Sequence, residues 1–66
     1  MVGKEGRVTG TIGPGLIGEV MVPVRGGVEA FYAYSSIPGE RFDLGAQVIV
    51  VEYLAPRTVY VAPARA

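Results

Sequence analysis

The densest apolar run in the chain is Gly45-Ala46-Gln47-Val48-Ile49-Val50-Val51-Glu52-Tyr53. Val48 to Val51 are all β-branched, so they are stiff at χ1 and fit a pleated strand better than a helix. A short apolar run between turn residues, here Gly45 and Pro56, predicts a buried strand that is apolar on both faces. Three other segments alternate with a period of two. In Val2 to Ile12, Val8, Gly10 and Ile12 alternate with Arg7, Thr9 and Thr11, and Gly10 marks a bend. In Glu19 to Val24, Val20, Val22 and Val24 share one face. Pro23 has no N–H, so it argues for an edge or an unpaired side. In Val28 to Ser36 both faces carry aromatics. Phe31 and Ala33 are placed inside, because Tyr32 and Tyr34 keep their hydroxyls wet when they face out. Thr58 to Ala62 is the fifth strand, with Pro63 as its stop and residues 63–66 as a frayed tail.

The connections carry turn chemistry. Arg25-Gly26-Gly27 predicts a tight hairpin. Gly13-Pro14-Gly15-Leu16-Ile17-Gly18 is a loop, since three glycines and a proline do not sustain a ladder. It lacks the Lys-Ser/Thr pair and following helix of a phosphate-binding loop. Pro38-Gly39 is a turn dipeptide, and Phe42 and Leu44 are expected to plug the barrel end. Leu16 and Ile17 have two readings. They cap the core, which is the favoured one, or they stand free as part of a contact surface.

Five short strands without a helix predict an all-β, small five-stranded barrel, since closure removes exposed edges. The order fits an OB-fold-like barrel whose usual helix between strands three and four is reduced to a turn; an SH3-like barrel is the alternative. The chain's 66 residues allow a single domain, taken as 1–66.

Composition narrows the chemistry. There are no cysteines and no histidines, so the commonest metal ligands and the commonest general base are missing. No metal site and no cofactor are expected. Ser35 and Ser36 have no adjacent base, so an activated serine is not expected. Glu19 and Glu29, even if they face each other across the hairpin, read as solvated carboxylates. The chain reads as a non-enzyme. Six basic and six acidic side chains cancel, so the positive field of a nucleic-acid binder is missing and no nucleic-acid partner is expected. The competing view is an OB-type stacking surface built from Phe31, Tyr32, Tyr34 and Tyr60 with Arg7, Arg25, Arg41 and Arg57. No stretch is apolar enough to span a bilayer, and no signal peptide is visible after Met1.

The ordered set Val2-Gly3-Lys4-Glu5-Gly6, Pro14, Gly18-Glu19-Val20, Ala33-Tyr34-Ser35, Ile37-Pro38-Gly39, the run from Gly45 to Val51 and Val59-Tyr60-Val61-Ala62-Pro63 resembles the soluble C-terminal domain of the NfeD family over nearly the whole chain. The chain departs from that pattern in its longer, more apolar Leu16-Ile17 insert and in the length of Ile37 to Leu44. The resemblance implies a five-stranded OB-type barrel and a membrane protein whose transmembrane segments lie outside this sequence. It further implies a place on the cytoplasmic side of the membrane and protein partners of the stomatin and flotillin scaffold type. Nothing of the serine-protease domain of longer members is present, and the resemblance carries no ligand residues over. The contact residues expected from the chain itself are Leu16, Ile17, Tyr32 and Tyr34, because aromatic and apolar side chains left over by the core suit protein contacts.

Overall fold

The computed structural model describes residues 1–64, all in strands, turns and connecting segments without a helix. The strands are β1 (Glu5–Gly10), β2 (Gly18–Val24), β3 (Gly27–Ser35), β4 (Gln47–Leu54) and β5 (Thr58–Pro63). They close into a barrel in the order β1-β2-β3-β5-β4. β1 pairs antiparallel with β4 through Glu5↔Ile49, Gly6↔Val48 and Arg7↔Gln47. β3 runs parallel to β5 through Tyr32↔Thr58 to Ser35↔Val61. This is the OB arrangement, with residues 36–46 standing where a helix is often found.

The interior is built from branched side chains that alternate inward: Val8, Val20, Val22, Val48, Val50, Val59 and Val61, with Phe31 and Ala33 from β3. Tyr32 and Tyr34 face out as expected. Ile12 and Phe42 seal one end. Each donates its backbone N–H to the other's carbonyl, at 3.0 and 2.9 Å, and both side chains are buried.

Several expectations are corrected. β4 is not apolar-buried on both faces. Val48 and Val50 are buried, while Ile49 and Val51 fall on the outer face by ordinary alternation; a bulge between Val50↔Val61 and Glu52↔Tyr60 then leaves Val51 as an extra residue. Val51 is turned to solvent, and beyond the bulge Tyr53 stands opposite the buried Val59, though it keeps 40% of its own surface exposed. A second bulge, between Val8↔Val20 and Gly10↔Glu19, does the same to β1. It puts Gly10 beside the outward Glu19 rather than on the Val8 face. Leu44 does not plug the barrel; it is 66% exposed. It occupies the corner of a turn closed by Ala46 N–H donating to Asp43 C=O, with Gly45 at φ +87°. Leu16 and Ile17 do not cap the core either, being 43% and 67% exposed, since Ile12 and Phe42 already fill that end. Pro63 belongs to β5 and Ala64 N–H donates to Gln47 C=O, so residues 63 and 64 are tied down; residues 65 and 66 lie outside the described residues. Pro23 pairs with Val28 of β3 and lies past the last β1–β2 pair, Arg7↔Met21. Its missing N–H therefore costs no bond to β1.

Candidate functional site

Two Pro–Gly turns stand side by side at the sealed end. In the first, Leu16 N–H donates to Gly13 C=O at 3.0 Å across Pro14-Gly15, with Gly15 at φ +76°. In the second, Glu40 N–H donates to Ile37 C=O at 3.1 Å across Pro38-Gly39, with Gly39 at φ +83°. Proline presets φ at the first corner and glycine supplies the left-handed second one, which is the type II signature. A groove of about 410 Å³ runs between the turns. Its apolar wall is Leu16, Ile17, Tyr34 and Ile37.

Tyr34 is held in place from its far side. Its ring lies 5.7 Å from that of Tyr60, tilted by 32°, and the two residues are paired across β3 and β5. Ile37 is positioned by Ser35. The Ser35 hydroxyl donates to Ile37 C=O at 2.8 Å and accepts from Ile37 N–H at 3.0 Å. Both bonds of that hydroxyl are used inside the loop, so its role here is to shape the groove wall.

Three of the four expected contact residues, Leu16, Ile17 and Tyr34, meet in this groove. Tyr32 is exposed on the same outer face of β3 but lines a separate depression with Glu19, Ala30 and Arg57. Ile37 belongs to the groove and was missed. Its signal was the repeated pattern of an apolar residue beside a Pro–Gly turn.

The other candidate groups are dispersed. Glu19 pairs with Tyr32 and Glu29 with Val22, so the two carboxylates are not opposite each other. Glu19 accepts a 2.7 Å bond from the Thr9 hydroxyl, and Glu29 pairs with Arg57 at 3.5 Å. Arg41 pairs with Asp43 at 3.6 Å. Among the described residues no three His, Cys, Asp or Glu side chains cluster to hold a metal. Phe31 is buried, so the four aromatics do not form one exposed stacking row.

Comparison with known proteins adds a family context. The profile of the NfeD C-terminal domain matches residues 5–62. The fold is similar to the soluble domain of a Corynebacterium glutamicum membrane protein implicated in regulation of membrane protease activity. The TM-score is 0.81 at 25% identity, over 97% of this chain and 92% of that one. It is similar to the C-terminal domain of stomatin operon partner protein 1510-C from Pyrococcus horikoshii, with a TM-score of 0.71 at 32% identity, over 100% and 91% of the two chains. It is also similar to the soluble domain of the NfeD protein YuaF from Bacillus subtilis, with a TM-score of 0.79 at 25% identity, over 97% and 74%. No curated protein matches the chain.

Proposed function

The chain belongs to the NfeD C-terminal domain family, and on that footing we propose that it is a non-catalytic interaction module of a membrane protein, docking a stomatin- or flotillin-type scaffold on the membrane's cytoplasmic side. The observation that carries this reading is the apolar groove between the two Pro–Gly turns, whose Leu16, Ile17 and Ile37 are exposed on a chain that already has a complete core. Apolar side chains grouped at one end and braced by hydrogen-bonded turns fit protein contact better than core packing. Support for the partner class comes from the Pyrococcus relative, which is named as a stomatin operon partner. Tyr32 forms an outlying part of the proposed surface, on the same outer face.

The double substitution Leu16→Ser with Ile17→Ser tests it. The melting temperature should stay within about 3 °C of the parent, well under the shift of 4–8 °C that 1 kcal/mol produces in a domain this small. Binding to a purified stomatin-type protein should be lost in the same variant. A drop of many degrees with binding intact overturns the assignment.

The OB-type nucleic-acid reading makes a contrary prediction that is easily checked. With six basic and six acidic side chains in balance, single-stranded DNA or RNA should bind no tighter than about 10⁻⁴ M at physiological salt, the weak end of non-specific association. A micromolar, salt-sensitive titration by fluorescence anisotropy would promote the stacking reading instead.

A further inference from the structure

The opposite ends of β2 and β3 carry a second concavity of different character. β3 meets β5 only from Tyr32↔Thr58 onward. The β2–β3 hairpin and the β4–β5 hairpin therefore both run past the barrel and leave a cleft of about 740 Å³ between them. Its floor is aromatic. Phe31 and Tyr53 meet edge to face, with ring centroids 6.3 Å apart and planes at 84°, and the Tyr53 hydroxyl donates to Pro56 C=O at 2.8 Å. Tyr53 reaches this position because the β4 bulge places it opposite the buried Val59.

One wall is Arg57. Its guanidinium carbon lies 5.6 Å from the centroid of the Phe31 ring. Its Nη1 donates to Ala30 C=O at 2.9 Å and reaches Glu29 at 3.5 Å. A ring, a carbonyl and a carboxylate thus fix one side of the guanidinium. Its Nε and Nη2 have no hydrogen-bond partner among the described residues. That edge is the fork that grips a carboxylate with two parallel bonds. Arg25 also lines the cleft, so two arginines face one glutamate there, on a chain that is neutral as a whole.

We propose that this cleft binds a protein segment carrying an Asp or Glu side chain next to a large apolar residue. The Arg57 fork takes the carboxylate, and the Phe31–Tyr53 floor takes the apolar neighbour. The charge of the cleft selects the acid and the aromatic floor selects what flanks it. The site is independent of the groove at the sealed end, so either assignment can fail without the other.

The test uses the full chain and a peptide pair, acetyl-Ala-Leu-Glu-Phe-Ala-amide and its Gln counterpart, titrated by ¹⁵N NMR. The Glu peptide should bind at least about 5-fold tighter than the Gln peptide, the size expected when a charge-assisted bond replaces a neutral one. The Arg57 Nε–Hε signal and the Tyr53 amide should shift. Arg57→Gln should erase the preference. Glu29→Gln should strengthen binding about 2- to 5-fold by removing a competing carboxylate near the fork. It also keeps the test decisive if the Arg57 variant folds poorly. The double serine variant of Leu16 and Ile17 should bind both peptides as the parent does. Equal affinity for the two peptides overturns the proposal. So do shifts remote from Arg57 and no binding at about 5 mM peptide, weaker than any useful docking affinity.

Discussion

Phe42→Ala should cost the domain roughly 3–5 kcal/mol, the range seen when a buried aromatic ring is truncated. The expectation rests on placement. Phe42 is 7% exposed and is one of two residues that seal the barrel end. Its partner Ile12 belongs to a segment 30 positions earlier and is joined to it by two backbone hydrogen bonds. Losing the ring therefore opens a cavity and frees both loops at once. A domain of this length has only about 3–10 kcal/mol of total stability at the usual 0.05–0.15 kcal/mol per residue. The urea midpoint should move far to the left, and much of the population should be unfolded at room temperature. Phe42→Leu, which keeps an apolar body in the site, should cost clearly less. If the alanine variant melts within a few degrees of the parent, the plug assignment is wrong.

Gly18→Ala should rival it from the opposite direction, by adding one carbon where there is no room. A Cβ at Gly18 would overlap Ile12 Cγ1 and stand 2.9 Å from Gly10 C=O and 3.0 Å from Ile12 Cα. Two of those three obstacles are backbone, which yields only by pulling β1 and β2 apart. A cost of about 3 kcal/mol, the upper end for overpacking, is the expected outcome. Combining it with Ile12→Ala should not rescue the protein, since the carbonyl and the Cα remain. Full rescue in a denaturant double-mutant cycle would show that the side chain alone was in the way. Gly15→Ala is the useful contrast. Its Cβ would meet nothing within 4 Å, so the variant reports only the φ of +76°, at roughly 1–2 kcal/mol.

The difference between these glycines marks where the sequence stops being readable. Period-two alternation and the β-branched run Val48 to Val51 were enough to locate the strands, and the tyrosine hydroxyls were enough to put Phe31 and Ala33 inside and Tyr32 and Tyr34 outside. Turn dipeptides placed the hairpins. What alternation does not carry is an inserted residue. Thr9 and Val51 look like ordinary members of their strands, yet each is the extra residue that reverses the phase beyond it. Gly10 marks the β1 bulge locally, as a glycine inside a strand does, but nothing of the kind marks the one in β4. Val51, the last of four β-branched residues in a row, is exposed because the outer face of β4, opposite Val48 and Val50, meets solvent rather than a second layer. Leu44 is as apolar as a plug residue, but the Asp43–Ala46 turn it sits in holds it out in solvent.

The candidate surfaces divide in the same way. The sealed-end groove was half legible, since Leu16 and Ile17 stood out as apolar residues in a loop. Ile37 joined them only through the pairing of two distant turns. The cleft at the other end was not legible at all. It depends on Tyr53 facing Phe31, and that contact exists only because of the β4 bulge.

The order of strands around the barrel also bears on how the chain is made. β1, β2 and β3 form one continuous antiparallel meander, and the β4–β5 hairpin bridges its two edges, β4 onto β1 and β5 onto β3. During synthesis Gly6 emerges about 40 residues before its partner Val48. At 5–20 residues per second that is a wait of roughly 2–8 s. Once β3 is out, and until β4 follows it, any sheet the chain forms has both edges bare and Val8, Val20, Val22 and Phe31 on an uncovered face. The completed barrel has no such edges, so the period of greatest exposure to mispairing with other chains falls before the last hairpin leaves the ribosome.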